Sequence, residues 1–488
     1  MRWPTRACSR RYEARSGYSA HVTLDIVNPA TGALLATVPA TTADQVAEHA
    51  RDAARVFHSG VWSGLAPRER AAALLRLADL MERDADLLAR LDSEDAGKPI
   101  TECVEGDVPG AIESIRYFAE AADKLYGAVA PAPGNVLAVT QREPFGVVAA
   151  ILPWNYPLAM ATWKIGPALA AGNSLILKPA DATPRSALHV ASLAVEAGIP
   201  EGVLRVLPGT GPEAGAALAA DPVIGALSFT GSTRTGRAIL RAAADSNLKR
   251  VSLEMGGKSP QIVMADALSL GERVIDGLVT AAFMTQGQNC TAGSRILVHH
   301  SIHDEVVERV AAAAAALTVG DPADPATQVG PIINAAAATR IMTAVNDAVA
   351  RGAVVATGGH EVDVHPGGRF IAPTVLTHVA PDDPILTTEL FGPVTVVQSF
   401  STREEAIAMA NAVDYGLAAS VYTASLEDAL VVARGVQAGV VSVGNYSEGD
   451  LSSPFGGWKQ SGFGGVEKSL RAFEQWTREK AIWIELEQ

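Results

Sequence analysis

The chain has 488 residues, 48% of them hydrophobic and 19% charged, and a formal net charge of −14. That length exceeds one ordinary core, and the balance of residue types is that of a folded globular protein. The acidity argues against nucleic-acid partners, and the absence of any apolar run of roughly 18–20 residues argues against a membrane span.

Residues 1–20 are Arg-rich and lack an apolar stretch, so they do not read as a secretory signal; a basic tail outside the fold or a start codon called too early is expected, with a transit peptide as the alternative. From His21, HVTLDIVNPATG reads as a strand and a turn. Residues 42–57 and 67–91 carry helical periodicity, with Leu74, Leu77, Met81, Leu88 and Leu91 on one face, and Gly97-Lys98-Pro99 stops it. A further helix is expected over 108–126. The segment GAVAPAPGNVLAVTQRE (127–143) reads either as a hairpin around Pro133-Gly134-Asn135 or as a surface loop. A projecting hairpin suits pairing with another subunit's sheet edge.

From Phe145 short apolar runs alternate with helical stretches: VVAAI (147–151), SLILK (174–178), VLRVL (203–207), GALSFT (225–230) and RVSLE (250–254). The alternation restarts after Gly256-Gly257 with QIVM (261–264), RILVH (295–299), AVVAT (353–357), PVTVVQSF (393–400), ASVYT (419–423) and GVVSV (439–443). Continuous apolar runs at this spacing predict two doubly wound parallel sheets buried on both faces, an α/β architecture. AIWIEL (481–486) predicts a last strand that can return to the hairpin.

Five segments carry side chains suited to chemistry. GSTRTG (231–236) joins a strand to a helix, and the N–H groups at such a helix start favour phosphate. It lacks the Gly-Lys-Ser/Thr of a triphosphate loop, because Arg237 follows Gly236. PWNYP (153–157) follows a strand and offers the Asn155 amide, which suits either a structural turn or a developing oxyanion. In LILKPAD, Lys178 ends a strand and is expected to emerge at its edge, with Asp181 able to accept from ribose hydroxyls. Glu254, in LEMGGKSP, is a candidate general base or an ordinary salt-bridge partner. Cys290 stands in QGQNC, a polar turn where a thiol can be activated. The other cysteines read as core (Cys103) and incidental (Cys8), and three cysteines without a CxxC pair give no disulfide framework and no structural metal site. Such cysteine usage fits a reducing cytoplasm.

Together these motifs resemble the aldehyde dehydrogenase superfamily over residues 22–488, through PWNYP, LKPA, FTGSTRTG, LEMGGK, GQNC, ELFGPV (389–394) and PFGGWKQSG (454–462). The resemblance implies a cofactor domain (21–125 and 145–255), a catalytic domain (256–457) and an oligomerisation element (126–144 and 470–488), in homo-oligomers. It implies Cys290 as nucleophile, Glu254 as base, Asn155 as oxyanion donor and Lys164 in a charge relay. For NAD, with NADP left open, it implies Ile151, Pro153, Trp154, Lys178, Asp181, Gly211, Phe229, Gly231, Ser232, Gly236, Leu253, Glu389 and Phe391. The implied reaction joins the aldehyde to the thiol, passes hydride to the cofactor and hydrolyses the resulting thioester.

DSNLKRVSLEMGGKS, GNYSEGD and EKSLRAFEQWTREKAIWIELE resemble γ-glutamyl-γ-aminobutyraldehyde and related aminoaldehyde enzymes. In that reading Glu448 and Asp450 meet a substrate ammonium, with Tyr446, Trp163 and Trp458 packing around it. The sequence departs from the pattern at Asp181, where Glu is usual with NAD, and at Gly444, where Asn is common. Gly465-Val466 replaces an Arg-acidic pair, with one residue inserted before Glu467. Met284 replaces the aromatic residue of betaine aldehyde enzymes. A thiol esterase working without redox chemistry is the rival reading, and it leaves GSTRTG and Lys178 without a purpose. A binding protein on the same fold leaves the thiol, base and amide unexplained.

Overall fold

A computed structural model describes residues 22–486, so the basic tail predicted at 1–20, with Cys8, lies outside the described residues. Strands Thr23–Val27 and Leu34–Pro39 form an antiparallel pair. Helices Ala43–His58, Pro67–Arg83 and Ala85–Ala96 follow, broken at Asp84. Thr42 caps the first through a capping box with Gln45, and Gly97 ends the third at φ 71°, a left-handed stop that suits glycine. The helix expected over 108–126 runs from Val108 to Ala121, after a wider turn at Cys103–Asp107. Cys103 lies in the core, as read.

The first large sheet has the strand order 462–463, 250–254, 226–230, 147–151, 174–178, 204–206, all parallel except the first. The chain enters at the central strand Val147–Ile151, builds outward on one side, then returns to build the other. Such a reversal opens a crevice at the carboxyl ends of the strands, where ligands of doubly wound sheets bind. Ile151, Lys178, Thr230 and Glu254 stand at those ends. The strands Val147–Ile151 and Ser174–Lys178 are buried at every position, because helices cover both faces.

The second sheet has seven strands, ordered 354–357, 374–377, 394–400, 295–299, 260–263, 418–422, 440–443. The run at 353–357, read as a buried strand, is instead an antiparallel edge strand with Val354 and Val355 exposed. The hairpin expected at 127–143 is present as Ala128–Ala130 and Val136–Pro144. The last strand is longer than AIWIEL: Thr477–Glu485 pairs antiparallel with Val136–Pro144 along its whole length, completing a three-stranded sheet.

Candidate active site

The thiol sits on a strained loop. Thr285 and Gln286 have φ of 52° and 56°, and Gly287 follows at 63°. Left-handed backbone at non-glycine residues costs of order 1–3 kcal/mol each and persists only where the surroundings enforce it. Here Glu102 accepts from the Thr285 N–H (3.0 Å) and from its hydroxyl (2.8 Å), while the Gln286 amide donates to the Gly97 carbonyl (2.8 Å). A Cβ on Gly287 would stand 2.3 Å from the Gly392 carbonyl oxygen, so glycine is required there. The loop delivers a half-buried Cys290 against Trp163, Leu417 and Phe455. Burial, then the carboxylates of Glu448, Glu389 and Glu254, push its thiol well above the ordinary range.

Asn155 lies at the amino end of helix Pro157–Ala170 and is almost wholly buried. Its side-chain amide donates to the Gln288 carbonyl (2.9 Å), which ties the PWNYP turn to the Cys290 loop. The structure thus brings Asn155 and Cys290 into one neighbourhood from segments far apart in sequence.

Glu254 ends the strand Arg250–Glu254, is buried, and accepts from the Gly457 N–H (3.2 Å). Burial, and then the Glu467 carboxylate, push its carboxyl well above the usual range, against the opposing pull of Lys164. Lys164 is buried and paired with Glu467, whose second oxygen has no partner among the described residues. Glu467 is the residue the sequence reading left outside its site. Its backbone N–H and carbonyl both pair with Phe455, which holds this stretch of chain against the site. Glu467→Gln leaves the Lys164 ammonium buried without its counter-charge. Thermal or denaturant unfolding is expected to show a loss of about 3–5 kcal/mol. A carboxyl can serve as a base only above its own pKa, and Glu467 holds that of Glu254 up. The acid limb of the turnover profile is therefore expected to move to lower pH in this variant.

At the crevice edge, the Lys178 ammonium does not emerge into solvent as expected. It is buried and donates to Asp181 (3.0 Å) and to the Pro179 carbonyl (2.9 Å). Ser232 caps helix Thr233–Ala244 by accepting from the Thr235 N–H (3.3 Å). Gly236, expected to allow close backbone approach at the helix entry, lies tight against its neighbours: a Cβ there would lie 2.6 Å from the Met255 sulfur. Gly231 has the Phe229 ring where a side chain would be, and Leu253 is core. The Thr230 and Thr233 hydroxyls flanking this turn are buried without partners among the described residues. Orphaned donors beside a helix start fit an anionic dinucleotide.

On the opposite side Glu389 accepts from the Gly257 N–H (2.9 Å), and burial pushes its carboxyl up to about 7. Phe391, at φ 57°, meets Trp154 edge to face at 5.4 Å. Beside them Lys258, another residue the sequence reading passed over, is buried with an unpartnered ammonium that burial, then Arg295, bring down to about 7. Ile151 and Pro153 close the central strand, and Gly211 opens the turn Gly211–Gly215 with free space where a side chain would stand.

The substrate residues divide. Glu448 lies beside Cys290 and takes hydrogen bonds from Thr291, from Asn289 (3.4 Å) and from Tyr446 (3.5 Å). Trp163 meets Phe455 edge to face at 5.5 Å. Asp450 and Trp458 do not join them. The Asp450 carboxylate faces solvent and accepts from the Ser452 N–H (2.8 Å), and Trp458 is 54% exposed on a two-residue strand paired with Tyr415–Gly416. No group of three or more His, Cys, Asp or Glu side chains suited to a metal occurs among the described residues. No helix among them is long and apolar enough to cross a membrane.

Residues 18–482 match the family model described as Aldehyde dehydrogenase family. The chain is 47% identical to the aminoacetaldehyde dehydrogenase of Pseudomonas aeruginosa, over 94% of this chain and 91% of that one. A γ-glutamyl-γ-aminobutyraldehyde dehydrogenase structure from Burkholderia cenocepacia superposes with a TM-score of 0.92 at 46% identity, covering 95% of this chain and 94% of that one. An indole-3-acetaldehyde dehydrogenase in complex with NAD+ superposes with a TM-score of 0.93 at 44% identity, covering 96% and 95%.

Proposed function

Since the chain belongs to the aldehyde dehydrogenase family, we propose that it oxidises an aminoaldehyde to its carboxylic acid with NAD, through a thioester on Cys290. The observation that carries this reading is that separate segments bring the Asn155 amide to the Cys290 loop and the Glu254 carboxyl into electrostatic reach of its thiol. Glu448, held beside the same thiol by three donors, supports a cationic substrate.

Thr230, Gly231 and Thr233 would hold the pyrophosphate, Lys178 and Asp181 the adenosine ribose, and Glu389 and Phe391 the nicotinamide ribose. NAD supplies the hydride acceptor when bound. Cys290 yields its proton to solvent, and its sulfur bonds to the aldehyde carbon as the carbonyl π pair moves to the oxygen. Asn155 and the Cys290 N–H stabilise the oxyanion, an interaction worth about 3–4 kcal/mol per donor. Loss of hydride from that carbon leaves the acyl group on sulfur. Glu254 then takes a proton from the water that attacks the thioester, the carbon–sulfur bond breaks, and the acid leaves.

The short Asp181 carboxylate, already engaged by Lys178, supports acceptance of NADP as well. The edge strand Thr477–Glu485, with Trp483 and Ile484 exposed, supports a homo-oligomer. The cysteine usage supports a cytoplasmic setting. A panel of γ-aminobutyraldehyde, its γ-glutamyl adduct, betaine aldehyde and a plain aliphatic aldehyde, each with NAD and NADP, tests the substrate class. The charged aminoaldehydes are expected to show the higher kcat/KM. Equal values across the panel would remove the aminoaldehyde assignment.

A further inference from the structure

Lys468 belongs to none of the groups above, yet its ammonium lies inside the same site. It is 5% exposed. Its Nζ stands 4.7 Å from the Trp163 ring centre and 5.3 Å from that of Phe455. It donates to the backbone carbonyls of Glu448 (3.1 Å) and Gly449 (3.2 Å). Those two rings belong to the aromatic wall against which Cys290 packs.

The backbone shows how it gets there. Lys468 and Ser469 have φ of 56° and 48°, left-handed at two successive non-glycine residues. The Ser469 N–H is fixed to the Leu451 carbonyl (2.6 Å), and the Glu467 and Phe455 backbones bond each other. This turn sends Glu467 to Lys164 and its neighbour Lys468 to the aromatic pair. Strain at consecutive residues is retained where the surroundings enforce it, commonly at functional sites.

An ammonium over two aromatic faces is the arrangement that recognises a cationic ligand. Here the chain fills that arrangement with its own lysine. We propose that Lys468 is a specificity-determining residue: an internal cation that occupies the Trp163–Phe455 rings and confines the charged end of the substrate to Glu448. The site then carries opposite charges, Lys468 on the aromatic wall and Glu448 on the loop whose carbonyls Lys468 holds. It favours a cationic tail that bypasses the rings over one that stacks on them. The inference rests on the aminoaldehyde reading, which it narrows.

The test compares kcat/KM for β-aminopropionaldehyde with that for butyraldehyde, its neutral analogue of like length, in wild type, Lys468→Met and Lys468→Arg. Removing a fixed cation beside the substrate ammonium frees the rings and lifts a like-charge repulsion. The charged-to-neutral ratio is therefore expected to rise about tenfold in Lys468→Met and to stay near wild type in Lys468→Arg. A Lys468→Met ratio that is unchanged or lower, including equal losses on both aldehydes, would reduce Lys468 to a structural anchor and overturn the proposal. Lys468→Gln, which keeps a donor for the two carbonyls, serves the same comparison if the methionine variant unfolds. The wild-type ratio separately tests the aminoaldehyde reading: a value at or below unity defeats that reading, whichever way the variants move.

Discussion

Cys290→Ala is expected to abolish aldehyde-dependent formation of reduced cofactor, with turnover down on the order of 10⁴–10⁶-fold. In the proposed mechanism the sulfur makes the bond that holds the substrate carbon, and no neighbour replaces it. Cys103 is fully buried in the hydrophobic core around helix Val108–Ala121, where no aldehyde can reach it, so it offers no substitute nucleophile. The fold should survive, because Cys290 is half-buried and alanine leaves the loop's anchors at Glu102 and Gly97 untouched. Absorbance of the reduced cofactor and a thermal midpoint, measured on one preparation, check both parts. Turnover within tenfold of wild type would remove the covalent mechanism.

Glu254→Gln is expected to separate the two halves of the reaction. Glutamine keeps an oxygen for the Gly457 N–H, so the local geometry should hold. It has no basic carboxylate, so water attack on the thioester should slow by roughly 10²–10⁴-fold. A first turnover of reduced cofactor, near one equivalent per active site, should remain in stopped flow while the steady state collapses. Loss of the burst itself would assign Glu254 to an earlier step, the activation of Cys290.

What the sequence made legible was local. The strand-to-helix turns, the glycine stop at Gly97 and the apolar strands of both sheets each carry their signal within a few residues. Cys290, Glu254 and Asn155 stand in motifs of that kind, and the structure places them together. The misplaced residues depend on contacts that residue type alone does not dictate, one with a distant strand and the others with near neighbours. Trp458 faces solvent because its short strand pairs with Tyr415–Gly416. Asp450 turns outward to its own Ser452 N–H. Lys178 and Asp181 look like separate ligands in the sequence, but the buried ammonium binds the carboxylate directly. Glu467 and Lys468 follow Gly465-Val466, where the sequence departs from the motif it resembles. Their side chains diverge because of two left-handed residues, which the residue types do not announce.

The measurement that bears most directly on the central claim is the intact mass of Glu254→Gln protein, quenched in acid after mixing with aldehyde and NAD. The protein is expected to gain the mass of the aldehyde less a hydride and a proton, and digestion should place the acyl group on the peptide that contains Cys290. Reduced cofactor formed in that same mixture with Cys290 unmodified would contradict a thioester route.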